Sequence, residues 1–144
     1  MLTNDFPILL VEDSKHDVRV AKRAWRINRI ANPLVVVPNG EACLQYLRNQ
    51  GKYTDPKEYP RPGIILMDIR MPVMDGIECL QEIKSDPELR VLPVIMLTTS
   101  KEDTDRVRSY KLGCNTFIQK PMGFDKLIEA MRAIHLYWGL AELP

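Results

Sequence analysis

The sequence predicts an α/β protein, a three-layer sandwich with helices covering both faces of a five-stranded parallel sheet. Two observations lead there. Five short apolar runs recur along the 144 residues, each continuous rather than alternating, as strands buried on both faces require. Between them lie longer stretches with helical spacing and helix boundary residues, so strand and helix alternate five times.

The first run is Ile8-Leu9-Leu10-Val11, and Asp13 or Ser14 can cap the helix that follows. That helix is rich in cations: Lys15, Arg19, Lys22, Arg23, Arg26 and Arg29. They are read either as a solvated face or as a docking face. The second run is Leu34-Val35-Val36-Val37. The stretch Gly51 to Gly63, with Pro56, Pro60 and Pro62, is longer than a usual connection and predicts an ordered surface loop. Pro60 and Pro62 favour an extended entry into the third run, Ile64-Ile65-Leu66-Met67. Asp75-Gly76 opens the third helix, Ile77, Leu80 and Ile83 form its apolar stripe, and Asp86-Pro87 closes it. The fourth run is Val94-Ile95-Met96-Leu97. Its helix, about Lys101 to Leu112 with Gly113 after it, carries chiefly Val107, Tyr110 and Leu112 as apolar residues. So weak an anchor suits an element that shifts between two states. Thr116-Phe117-Ile118 is the fifth run, and Phe124, Leu127, Ile128, Met131, Ile134 and Trp138 line the fifth helix.

Composition bounds the function. Apolar residues at 45% and charged residues at 27% suit one globular domain, with a core from about 7 to 138 and a short tail at 139–144. A net charge of +1 gives no global reason to expect nucleic acid or membrane as partner. Cys43, Cys79 and Cys114 form no CxxC pair and have no nearby His, so they read as buried free thiols. The N-terminus has no signal-peptide pattern, and no apolar run approaches the ~20 residues that span a bilayer. A cytoplasmic location is expected.

In open parallel sheets ligands bind beyond the carboxyl ends of the strands. Here the first strand runs into Glu12-Asp13, the third into Asp68, the fourth into Thr98-Thr99-Ser100 and the fifth into Lys120-Pro121. Three carboxylates, a hydroxyl and an ammonium thus converge on one rim. The excess of two negative charges is balanced by one Mg²⁺, a hard cation that takes carboxylate, water and phosphate oxygens. A carboxylate so placed can attack phosphorus and form an aspartyl phosphate. Such transfer needs chiefly positioning and charge neutralisation, by Mg²⁺, Lys120 and backbone N–H groups, with Thr98 able to donate to a phosphoryl oxygen.

Val11-Glu12-Asp13, the segment Met67-Asp68-Ile69-Arg70-Met71-Pro72-Val73-Met74-Asp75-Gly76, Leu97-Thr98-Thr99-Ser100 and Lys120-Pro121 together resemble the receiver domain of bacterial two-component response regulators. The resemblance runs from about Pro7 to about Trp138 and implies a flavodoxin-like sheet of order 2-1-3-4-5 with five helices. It implies Asp68 as the phosphoacceptor, Mg²⁺ as cofactor, and Glu12, Asp13, Asp68 and the Arg70 carbonyl as its ligands. Thr98 and Lys120 match the residues that contact the phosphoryl group. Phe117 matches the aromatic switch position, against the plainer reading of a core ring, and Lys120-Pro121 matches a cis peptide. Thr99 stands where the family usually has a very small residue, and this implies a narrower path of water to the phosphoryl group, a path that Arg70 and Ser100 flank.

The long loop and the tail from Tyr137 to Pro144 resemble single-domain regulators that work with phytochrome-type histidine kinases. Such a kinase is the implied donor, docking near the cationic first helix. There is no room for a helix-turn-helix output domain, so no direct contact with nucleic acid is expected and output passes to another protein or a phosphorelay. The chain is expected to be no enzyme beyond promoting its own phosphorylation and dephosphorylation. Tyr137, Leu140 and Leu143 lie past the core stripe and predict a homodimer, against a tail folded back on its own helix.

Three other readings of the rim are less well served by its residues. An FMN-binding protein would want a hydroxyl- and glycine-rich loop where Glu12-Asp13-Ser14-Lys15-His16-Asp17 stands. A phosphoaspartate hydrolase would want a second Asp at the position of Arg70. A receiver that is never phosphorylated is disfavoured because no pocket residue is missing.

Overall fold

The computed structural model describes residues 6–98 and the backbone of Thr116–Gln119. The fourth and fifth helices, Cys114, Thr99, Ser100, Lys120-Pro121, the side chains of Thr98 and Phe117, and the tail with Tyr137, Leu140 and Leu143 lie outside the described residues.

The strands β1 (Ile8–Val11), β2 (Leu34–Val37), β3 (Ile64–Asp68), β4 (Val94–Thr98) and β5 (Thr116–Gln119) run parallel in the order β2-β1-β3-β4-β5. The α/β class and the parallel sheet are therefore as expected. Their register keeps the carboxyl ends level: Val11 pairs with Val37 on one side and Met67 on the other, and Asp68 pairs with Leu97.

Because successive strand residues point to opposite faces, the apolar runs divide between two cores. Leu9, Val11, Ile65, Met67, Val94 and Met96 face one way, onto helices α2 (Gly40–Leu47) and α3 (Gly76–Ser85). Ile8, Leu10, Ile64, Leu66, Ile95 and Leu97 face the other, onto Ala21, Ala24 and Trp25 of helix α1 (Lys15–Ile27). The central strands β1 and β3 are wholly buried, whereas β2 at the edge is partly open. Each fully buried aliphatic side chain contributes roughly 1.5–3 kcal/mol.

Sequence sets the helix ends. The Ser14 hydroxyl accepts the Asp17 N–H, the Asn39 side chain that of Ala42, and the Asp75 carboxylate that of Glu78. Of the two cap candidates for α1, Ser14 is the one used. On α1 the cations Lys15, Arg19, Lys22, Arg23 and Arg26 are all exposed, together with Ile27. On its core side the Trp25 indole donates to the Asn32 carbonyl at 2.9 Å, and the buried Asn32 amide donates to the Phe6 carbonyl at 3.0 Å.

The long connection before β3 is an ordered structure, held by aromatics. It begins with a 3-10 turn, Gly51–Tyr53, and packs Tyr53 and Tyr59 against Tyr46 of α2 in tilted and edge-to-face contacts, ring centroids 5.1–5.9 Å apart. The Tyr46 hydroxyl donates to the Pro60 carbonyl at 2.8 Å. The Asn49 amide donates to the carbonyls of Tyr53 and Tyr59, and the Arg61 guanidinium to that of Glu88. Burial, then the neighbouring Tyr53 and Tyr59, raise the Tyr46 phenol above its ordinary range. Cys43 and Cys79 are buried free thiols between α2 and α3. A hydrogen bond with Cys79, reinforced by burial, pushes the Cys43 thiol well above its usual value.

Candidate functional site

The first carboxylates come from the turn between β1 and α1. The Glu12 N–H donates to the Val37 carbonyl at 2.9 Å, so Glu12 continues the β1–β2 ladder and turns its side chain inward. It is 2% exposed, and its carboxylate accepts the Ser14 N–H at 3.3 Å. Ser14 thus serves twice, capping α1 and holding Glu12. Asp13, between them, is exposed.

The next carboxylate is the last residue of β3. Asp68 is 7% exposed, and oxygens of Glu12, Asp13 and Asp68 all lie within 4.8 Å of one another. Two unit charges at such a spacing repel by on the order of 3 kcal/mol at an effective dielectric near 20. A cluster of hard oxygen donors, two of them in buried residues, fits a small divalent cation such as Mg²⁺.

Beyond Asp68 the chain makes a tight return into α3. The Ile69 N–H donates to the Leu97 carbonyl at 3.1 Å, and the Ile69 carbonyl accepts the Gly76 N–H at 2.8 Å. Between these bonds Val73 has φ of 68°, and the Met74 N–H donates to the Pro72 carbonyl at 2.8 Å. That is a γ-turn of the rare positive-φ kind. For a β-branched residue this region is a real outlier, costing on the order of 1–3 kcal/mol. The Met74 carbonyl accepts the Gly40 N–H at 3.0 Å, tying the turn to the start of α2.

This return forms one wall of an open cleft of about 440 Å³ beside the acidic cluster, lined by Asp13, Arg70, Met71, Pro72 and Asp75 among others. On the other side of Asp13 a hollow of about 400 Å³ opens against Lys15, Val18 and Arg19 of α1 and Val36 and Pro38 after it. The carboxylates therefore stand where a ligand can approach over the strand ends, with cations of α1 nearby.

Of the residues expected at the site, Glu12, Asp13 and Asp68 are brought together, and Arg70 lines the adjoining cleft. Lys120 and the side chains of Thr98 and Phe117 fall outside the described residues. Sequence reasoning missed the Ser14 N–H on Glu12 and the tie from Met74 to Gly40, both backbone bonds that no residue pattern announces. Val73 stands within the motif, yet nothing in its side chain signals a positive-φ backbone.

The chain matches the family model described as the response regulator receiver domain over residues 8–132. It is 37% identical over 131 residues to the response regulator Rcp1 of Synechocystis sp., covering 91% of this chain and 87% of that protein. Its fold is similar to the crystal structure of the phosphorylated cyanobacterial phytochrome response regulator RcpA, with a TM-score of 0.78 and 37% identity over 92% of this chain and 93% of that one. It is also similar to the Mn²⁺-bound form of Rcp1, with a TM-score of 0.77 and 36% identity over 96% of this chain and 99% of that one.

Proposed function

The chain belongs to the response regulator receiver domain family, and from that premise we propose that Asp68 accepts a phosphoryl group from a sensor histidine kinase and that the chain then switches conformation to signal onward. The observation that carries this reading is the gathering of Glu12, Asp13 and Asp68 within 4.8 Å at the carboxyl edge of the sheet, beside an open cleft.

Glu12, Asp13, Asp68 and the Arg70 carbonyl would hold Mg²⁺. Bound there, the ion would neutralise charge on the phosphoryl oxygens. An Asp68 carboxylate oxygen forms the new bond to phosphorus while the bond from phosphorus to the donor imidazole nitrogen breaks, its electron pair leaving with that nitrogen. Ser14 keeps Glu12 turned inward throughout, and the neighbouring backbone keeps Asp68 at the strand end. Thr98 and Lys120 contact the transferred group, and movement of Thr98 admits the Phe117 ring.

The donor is proposed to be a phytochrome-type kinase, which the likeness to RcpA supports, docking on the cationic face of α1. The chain acts in the cytoplasm as one receiver domain over 1–144, its sheet covered by five helices. It signals to another protein or a phosphorelay, performs no turnover of a separate substrate, and pairs as a homodimer through Tyr137, Leu140 and Leu143.

Mass spectrometry after incubation with Mg²⁺ and a small acyl phosphate tests the central claim. One added phosphoryl group is expected, lost in Asp68→Asn. Equal labelling of that variant would remove Asp68 from its role.

A further inference from the structure

We infer that Val73 is a positioning residue that weakens the metal site from outside it, by making the return after Asp68 costly to hold in its binding shape. This inference rests on the metal reading above and concerns how tightly the site binds.

The return is clamped at both ends. The Gly76 N–H is bonded to Ile69, and the Met74 carbonyl is bonded to the Gly40 N–H. Between the clamps Arg70, Met71 and Pro72 form the cleft wall facing Asp13. Their placement depends on the γ-turn at Val73, where φ is 68°. A β-branched side chain disfavours that conformation. The wall is thus held by its clamps against the preference of its own tip, and the turn leaves its binding shape more readily than a glycine or asparagine tip would. A ligand that needs the ordered wall has its apparent affinity lowered by the fraction of time the wall is out of place.

The Val73 side chain is 73% exposed and is not among the cleft-lining residues. Changing it alters the backbone preference while leaving every carboxylate in place. Gly, with no β-carbon, takes a positive φ freely, and Asn takes it more readily than a β-branched residue does, so both relax the tip.

The test is Mg²⁺ titration by calorimetry, with thermal unfolding in chelator, on the full chain and on Val73→Asn, Val73→Gly and Val91→Asn. Val91 is equally exposed and outside the return, which makes it the surface control. Val73→Asn is expected to bind Mg²⁺ roughly 2–10-fold more tightly and to melt higher without metal, with Val73→Gly also tighter and Val91→Asn unchanged. A higher melting point with unchanged or weaker Mg²⁺ affinity in both Val73 variants would overturn the inference, because the strain is then the same with and without metal. Equal tightening by Val91→Asn would overturn it as well. An unmodified chain that binds no Mg²⁺ overturns the metal reading together with this one.

Discussion

A β-carbon on Gly76 would stand 2.2 Å from the Asp68 carbonyl oxygen and 2.9 Å from the Ile69 α-carbon. Both obstacles are backbone, so neither can rotate away. Only glycine lets α3 begin this close to the end of β3. Gly76→Ala is expected to destabilise the fold by about 1–3 kcal/mol, measured by urea unfolding, and to slow labelling of Asp68 by acyl phosphate. Unchanged stability would mean that the return has room the packing does not reveal.

Removing charge at the clustered carboxylates Glu12 and Asp13 separates metal affinity from folding. Glu12→Gln with Asp13→Asn keeps the shape and the acceptor for the Ser14 N–H. The pair should lower Mg²⁺ affinity by more than roughly tenfold and raise the melting point in chelator, since like charges are removed from around Asp68. Calorimetry returning the unmodified affinity would refute the ligand assignment.

A second site gives a pH signature away from the cleft. The Asp86 carboxyl is held below its usual 3.8, first by the Glu88 N–H, against a smaller opposing effect of burial, and then by Arg48. A depressed carboxyl contributes stability that is present above its unfolded value and lost as pH falls through the folded one. The stability gap between the unmodified chain and Asp86→Asn should therefore be constant near neutrality and close below pH 3.8. Urea melts across that range check it; a gap that persists in acid would place its origin elsewhere.

The tail prediction concerns assembly. Light scattering at high micromolar concentration should find the intact chain dimeric and a chain ending at His135 monomeric, because Tyr137, Leu140 and Leu143 are gone. A monomeric intact chain, with and without a phosphoryl mimic, would reduce the tail to a cover for its own helix.

What the sequence disclosed and what it withheld divide along physical lines. The runs from Ile8, Ile64 and Val94 were legible because strands buried on both faces leave a continuous apolar mark, and the run from Leu34 carries the same mark at a partly open edge. Asp75-Gly76 was legible because capping is chemistry between near neighbours. Gathering Glu12, Asp13 and Asp68 needed only the rule that parallel strands end together. That the Gly51 to Gly63 connection is ordered was legible from its length and prolines, but what holds it was withheld, since its tyrosines fasten to a helix whose placement no local pattern gives. Val73 was withheld for a different reason: its conformation is imposed by bonds at Gly76 and Gly40, against its own preference.

The division of the strand side chains between two cores has a consequence for how such a chain can change. Among the described residues, those on the α1 side and those on the α2–α3 side form separate clusters with the sheet between them. Substitutions in Trp25 or Ala24 and in Leu80 or Ile83 should then add in their cost, with little coupling between them. A lineage can thus redraw the exposed cationic face of α1, repacking Ala21 and Trp25 as needed, while the half-core beneath the return to α3 stays as it was. The two sides of the sheet are free to drift at separate rates.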